Sequence, residues 1–455
     1  MSEQPASGDT APPTQSSIAG KSMWTLGTYV GSTGIRFASN IVLSRLFGPE
    51  VLGIVVIAQA IRTGCDLLTD LGPQQNIVHS PHGDDERFLN SLWTLQILRG
   101  LLVSLACFAI VPFLADFYRV DWSLLVAISL APLLTSLMST SLGSMMRRME
   151  VKQRNLFELA AEAAGLAINI GLALWLRNVW APILGILFSI AFRSAMTYFL
   201  PRPRHRLLLD KGHVLEIWHF SKWIMLSSLS LYAAAYVDRL FLGRVVSLAT
   251  LGVYGLARSV AELPNTVAGR LSFQIIFPFV AKHKQELAKG SSARAELGRM
   301  RVYFLLLVVA GIGTVMAWSD WAVQILYGRR YLEAGWMLCL LLTGSWIAVL
   351  ASLNEAIVFG RGESKNVGFA NAVRFVTMGG FMAVGYQIGG LAGALLAIPA
   401  SEAIRYFVLL RAQIRLNITF LLQDMMLTFG LLGVVAGWIV VRGVLGMGVP
   451  WALMG

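Results

Sequence analysis

A chain of 455 residues that is 56% hydrophobic and only 14% charged, with a mean hydropathy of +0.65, holds more apolar sequence than a soluble core of that length can bury. A soluble enzyme or regulator is excluded. The net charge of +12 would suit a nucleic-acid binder in a soluble domain, but in a membrane chain it reflects basic loops beside anionic lipid, so nucleic acid is excluded as a partner.

Residues 1–20, rich in Ser, Pro, Thr, Gly and Ala, carry too little apolar surface to fold and are expected to form a disordered cytoplasmic tail. Apolar runs of about 20 residues then follow one another, each long enough at about 1.5 Å per residue to cross roughly 30 Å of hydrocarbon. Spans are expected at 22–46, 50–72, 89–113, 122–146, 156–176 and 180–200. After the basic stretch PRPRHRLLLDKGH (Pro201 to His213) come spans at 217–241, 248–279, 301–320, 334–359, 367–387 and 389–410, and a thirteenth at 421–441. The fold class is an all-α polytopic membrane protein with two pseudo-symmetric six-helix bundles around a central cavity. The organisation is an N-terminal lobe over 21–200, a cytoplasmic linker over 201–216, a C-terminal lobe over 217–411, and an additional helix and tail over 412–455.

With the N-terminus inside, the cytoplasmic connections carry 20 Lys and Arg against 7 outside, and 10 lie within spans. The three cysteines, Cys65, Cys107 and Cys339, fall in apolar runs without CxxC spacing and suggest neither a disulfide framework nor a zinc site.

The chain is internally duplicated. LSRLFGPEVLGIVVIAQAIR (Leu43 to Arg62) returns as LGRVVSLATLGVYGLAR (Leu242 to Arg258), with Leu43, Arg45, Leu52, Gly53 and Ala58 matched at a shift of 199. Arg148, Glu150 and Lys152 return as Arg361, Glu363 and Lys365 at a shift of 213, and Ser189, Ala191 and Arg193 as Ser401, Ala403 and Arg405 at 212. An even number of spans per copy makes the repeats parallel, an arrangement suited to alternating access.

A charge inside a span costs about 2.5–3.5 kcal/mol on insertion scales, so each needs a partner or a watery cavity. Arg36, Arg62, Asp66, Asp70 and Arg99 are such residues in the first half, and Asp238, Arg239, Arg258, Glu262, Arg270 and Arg374 in the second. Arg62, Asp66 and Asp70 repeat at i+4, as do Arg258 and Glu262. Each stripe is either a polar face on a cavity or a self-neutralising set. Arg36 has no acidic residue within one turn, which points to a polar cavity, an anionic ligand, or a partner on another helix. Arginine suits phosphate because its planar fork donates paired hydrogen bonds and keeps its charge. Arg36, Arg62, Arg258 and Arg270 are therefore the expected substrate-binding residues, with Asp66, Asp70 and Glu262 as coupling groups or charge partners.

The six histidines fall in or beside cytoplasmic loops, and no metal or cofactor is assigned. Trp24, Trp122, Trp180, Trp218, Trp318 and Trp321 sit near span ends, as interfacial aromatics do, and Pro264 and the Phe277-Pro278-Phe279 group are expected to kink span eight. Neither a nucleotide-binding G-x-x-x-x-G-K-[ST] loop nor a G-x-S-x-G elbow occurs, and the longest internal loop is too short for a catalytic domain.

The runs SRLFGPEVLGI, VDRLFLGRVVSLATLGVYGLARSVAELP and IIFPFVAKHK, in that order, resemble the polysaccharide transporter (Wzx-like) flippases of the multidrug/oligosaccharidyl-lipid/polysaccharide exporter superfamily. The resemblance extends over about residues 20–415. It implies a bacterial inner-membrane protein of two six-helix bundles that flips undecaprenyl-diphosphate-linked oligosaccharide for exopolysaccharide, O-antigen or capsule assembly. It further implies membrane lipids, a polysaccharide polymerase and a chain-length regulator as partners. A cation-coupled drug or metabolite exporter of the same fold is the alternative, and a membrane-embedded polymerase or glycosyltransferase a more distant one.

Overall fold

The computed structural model describes residues 15–201, 205–287 and 291–450, which are helical with no strand among them. In chain order the α-helices are α1 (Gln15–Leu46), α2 (Pro49–Leu68), α3 (Pro73–His79), α4 (Glu86–Tyr118), α5 (Trp122–Ile128), α6 (Ala131–Ser136), α7 (Ser141–Arg147), α8 (Val151–Leu176) and α9 (Trp180–Thr197). After the linker come α10 (Lys211–Val245), α11 (Leu248–Leu271), α12 (Phe277–Lys282), α13 (Ser292–Ala317), α14 (Ser319–Leu326), α15 (Ala334–Gly360), α16 (Ser364–Arg415) and α17 (Leu421–Val444). Of the N-terminal tail expected over 1–20, residues 1–14 lie outside the described residues, and α1 runs from Gln15.

Seven helices (α4, α8, α9, α13, α15, α16 and α17) are long and apolar enough to cross a membrane, and the bent run from Trp122 to Arg147 makes an eighth. The chain is a multi-pass membrane protein. Helices α1, α2, α10 and α11 occupy the places expected for spans one, two, seven and eight and carry Arg36, Arg62, Asp66, Asp238, Arg239, Arg258, Glu262 and Arg270.

Backbone breaks follow the residues that cannot continue a helix. The 52-residue α16 breaks at Gly389 and Gly390, where Gly390 takes φ 55° and ψ −140°, a conformation only glycine adopts without strain. The stretches 367–387 and 389–410, expected as two spans, are thus separate helical segments. Pro278 has no N–H for the carbonyl of Gln274, and a π-helical turn over Ser272–Ile276 precedes it; Pro264 is carried within α11 without a break. The α5–α7 run bends by 47°, and side chains satisfy its freed backbone groups: Ser104 Oγ accepts from Leu133 N–H, and Gln96 donates to the Ser136 carbonyl.

Two compact units are formed, one from residues up to 42, 69–110 and 126–225, the other from 43–68, 111–125 and 226 onwards. Helix α2 therefore packs with the second half of the chain. The contact is reciprocal in the duplicated motif. A Cβ on Gly53 would lie 1.9 Å from the Leu248 carbonyl oxygen, and one on Gly252 would lie 2.0 Å from the Pro49 carbonyl oxygen. Gly53 and Gly252 are equivalent at the shift of 199, and so are Pro49 and Leu248. The starts of α2 and α11 thus touch about a local two-fold axis, backbone against backbone, as only glycine permits. Around it, Arg45 Nε donates to the Leu326 carbonyl at the end of α14, and Tyr331 donates to the Phe47 carbonyl at 2.7 Å.

The second repeated motif also has matching geometry. Glu150 and Glu363 each stand at the N-cap of the following helix, with φ/ψ of −77°/57° and −89°/53°, and each follows a residue of positive φ, Met149 and Gly362. The copies share a backbone turn as well as letters.

Within the first unit the linker is fastened along α4. Backbone N–H groups of Arg206, Leu208 and Asp210 donate to Asn90, Thr94 and Ser91, while Ser139 Oγ lies 2.8 Å from His205 Nε2 and the Trp93 ring stacks on the imidazole. Asp210 caps α10, and the hydrogen bonds from the His213 and Gly212 backbone hold its carboxyl below its ordinary range. In the second unit, buried ion pairs hold both ends of α17: Arg301–Asp424 at 2.7 Å, and a two-pronged Arg442–Asp320 pair at 2.7 Å.

Two outcomes follow for this scaffold. Gly53→Val or Gly252→Val lowers the thermal midpoint of the purified protein, costing about 1–3 kcal/mol or more because backbone must move. Gly171→Ala, a site with nothing within 4 Å, leaves it unchanged or slightly raised. The second outcome concerns His205, whose imidazole burial lowers to about 4. The folded state therefore keeps His205 neutral, and its stability is full above the unfolded value of about 6.5 and falls as pH drops towards 4. Hydrogen exchange of the 205–210 amides accelerates over that window, and His205→Phe flattens the response.

Candidate functional site

Four helices of the second unit place charged groups beside one another. On α10, Asp238 is 0% exposed, yet its carboxylate is fully engaged: it accepts from the Tyr254 hydroxyl and the Arg239 N–H and lies 3.3 Å from Arg258 Nε. On α11, the i,i+4 pair Arg258–Glu262 closes at 2.9 Å, and Glu262 also takes Arg239 at 2.8 Å. On α16, Arg374 lies 2.6 Å from Glu402, and Arg405, 3.2 Å from the other oxygen of Glu402, also pairs with Glu355 of α15. Arg258 is within electrostatic range of Glu402, which joins the two halves of the cluster.

Counting formal charges, four arginines (239, 258, 374 and 405) face four carboxylates (238, 262, 355 and 402). The cluster is neutral as a whole. Neutrality lets it sit among apolar helices, since each guanidinium would be costly alone. Glu262, with 39% of its side chain exposed, is the accessible carboxylate of the group. The Nε groups of Arg258, Arg374 and Arg405 have close charge partners but no aligned acceptor among the described residues, and Arg62 Nε on α2 is likewise without one.

The expected site residues fall in different settings. Arg258 and Glu262 are brought together. Arg36 on α1 reaches Glu162 of α8 at 3.7 Å with its side chain 55% exposed, so its partner lies on another helix and holds it loosely. Arg62 and Asp66 share α2, but Asp70 does not continue their stripe. The helix ends at Leu68, and Asp70 instead accepts the Gly72 N–H at 2.9 Å in the turn before α3, because Gly72 (φ 60°) reverses the chain there. Arg270 is exposed near the end of α11.

Glu355 and Glu402 did not emerge from the sequence. Their signal was present: Glu402 and Arg405 are three residues apart in an apolar run, and Glu355 is the single acid of α15. Arg301, one of the 20 cations expected in cytoplasmic connections, and Arg442, one of the 7 expected outside, are each buried in an ion pair on the α17 contact. Among the described residues one group of ligand-bearing side chains, His82, His213 and Glu216, has spacing for a metal ion.

A family model described as "Polysaccharide biosynthesis protein" matches residues 42–335, from the end of α1 to the start of α15. The chain belongs to this family. Among its relatives in the family, the succinoglycan biosynthesis transport protein ExoT of Rhizobium meliloti is 21% identical over 84% of this chain and 77% of its own length. The lipopolysaccharide biosynthesis protein WzxC of Escherichia coli is 23% identical over 68% of this chain and 63% of its own. The polysaccharide biosynthesis fold is shared with the lipid II flippase MurJ in an inward closed conformation, at a TM-score of 0.71 and 11% identity, over 94% of this chain and 92% of that one. An inward-facing multidrug resistance transporter of the MATE family matches at 0.60 and 16% identity, over 85% and 94%. The chain is a Wzx-like polysaccharide transporter.

The charge count gives a direct test of the cluster. Glu402→Gln leaves Arg374 and Arg405 with excess buried charge and destabilises the protein by about 3–5 kcal/mol. The double variant Glu402→Gln/Arg374→Gln, neutral again, recovers part of that loss in a thermal melt.

Proposed function

We propose that this protein is a flippase that carries polyprenyl-diphosphate-linked oligosaccharide repeat units from the cytoplasmic to the outer leaflet of the bacterial inner membrane, for exopolysaccharide, O-antigen or capsule assembly. One observation carries the reading: the polysaccharide biosynthesis family model matches residues 42–335, which include α10 and α11 with Asp238, Arg239, Arg258 and Glu262. The N-terminus is cytoplasmic, and two six-helix bundles alternate around a central cavity.

The substrate's diphosphate needs cationic donors at membrane depth, and the glycan needs a polar path. Arg36 suits the diphosphate, because its 3.7 Å contact with Glu162 is weak enough to be exchanged for paired phosphate hydrogen bonds. Arg62, whose Nε lacks an aligned acceptor, and the exposed Arg270 are the further ligands. Arg258 acts with Glu262: protonating that carboxylate would leave the neutral cluster with one net positive charge, shared by Arg239 and Arg258, for an anion, which links transport to a proton or cation gradient. Asp66, on the same helix as Arg62, is a second coupling candidate, whereas Asp70 is engaged in its turn. A polymerase and a chain-length regulator receive the flipped unit.

Deleting the gene should leave lipid-linked repeat units facing the cytoplasm and remove the surface polysaccharide. Normal surface polysaccharide in the deletion strain refutes the reading, and tolerance of cationic dyes on overexpression would favour an exporter instead. Arg36→Ala and Arg62→Ala should each abolish complementation at unchanged protein level.

A further inference from the structure

The loop between α3 and α4 meets the first two turns of α10 in a cluster that the flippase reading does not use. Glu216 Oε2 lies 3.1 Å from His82 Nδ1 and 3.7 Å from His213 Nδ1, so two imidazoles present the same ring nitrogen to one carboxylate oxygen. One ligand atom from each of the three residues lies within 4.8 Å of the others. Ligands held at about 2.0–2.1 Å around a tetrahedral ion are separated by about 3.3 Å, so the observed spacings need only small side-chain rotations to converge.

The surroundings are those that orient metal ligands. Glu216 Oε1 accepts the Ser80 hydroxyl, which leaves Oε2 for the centre of the cluster. His213 Nε2 faces Asp85 at 3.6 Å, the carboxylate-to-imidazole arrangement that fixes a tautomer with Nδ1 free to ligate. Phe88 packs edge-on against the His213 ring and holds its plane. A cavity of about 340 Å³, lined by Asn76, His79, Glu216 and His219 among others, opens beside the carboxylate and provides an entry path. His82, with 54% of its side chain exposed, leaves the fourth position to water.

We propose that His82, His213 and Glu216 bind one divalent transition-metal ion of the zinc class, which pins the α3–α4 loop to the first two turns of α10. Two imidazoles and a carboxylate suit zinc, cobalt or nickel over magnesium or calcium, which prefer oxygen ligands throughout. The ion would fasten the stretch where the chain passes from one repeat to the next, beside the linker already tied along α4.

The test uses full-length protein in detergent with any purification tag removed, stripped with chelator and titrated with zinc, and separately with cobalt. One equivalent of zinc per chain should bind, and cobalt should give the visible bands of a tetrahedral complex. Both signals should disappear in His82→Ala and in His213→Ala, and affinity should fall about 10–100-fold in Asp85→Asn. His283→Ala, on another loop, should bind normally. Zinc should raise the thermal midpoint of the parent protein and not that of His82→Ala. No stoichiometric binding to the parent, or equal binding by the two histidine variants, overturns the proposal. If His213→Ala does not fold, the exposed His82 decides the matter.

Discussion

An ionised side chain among apolar helices must be neutralised by a neighbour or reached by water, and this constraint fixes the ion pairs that tie the helices of the second unit to one another. Arg301 with Asp424 and Arg442 with Asp320 hold α17 at its two ends. The eight-residue cluster of α10, α11, α15 and α16 meets the same requirement in a different way. Its members satisfy one another in chains and not in isolated pairs, Glu262 serving two arginines and Arg405 two carboxylates. Such a chain can change its pairing without leaving any charge alone, which a single tight pair cannot do. That property distinguishes the cluster on α10, α11, α15 and α16 from the single pairs that hold α17.

Helix places were legible because a membrane span is a one-dimensional signal, about 20 apolar residues between polar stops. The expected spans from 334 and 421 begin where α15 and α17 begin. Ends were misjudged where polar residues extend a helix beyond the hydrocarbon, as at the N-terminal turns of α10 and α13. The duplication was readable as sparse identities, and its meaning became visible only in three dimensions. Gly53 and Gly252 matter through backbone oxygens on the opposite helix, which no pattern within one helix reveals.

The candidate site was half legible. A charge in an apolar run announces itself, so Asp238, Arg239, Arg258, Glu262 and Arg374 were found. Pairing across helices does not announce itself: the partner of Arg36 is Glu162, 126 positions away. Asp70 shows the opposite error. Its i+4 spacing from Asp66 was real, but spacing has meaning only while the helix lasts, and α2 ends two residues earlier.

The reciprocal contact of α2 with α11 has one asymmetric position. Val56 and Gly255 are equivalents at the shift of 199, and a Cβ on Gly255 would lie 2.5 Å from Val56 Cγ2. Two identical chains meeting about this axis would set valine against valine, or glycine against glycine, and could choose only between a clash and a void. A single chain carrying both copies can fill the space from one side and clear it from the other. One chain with both copies can therefore shape the two sides of this local symmetry separately, a close fit that no homodimer about the same axis could reach by one substitution.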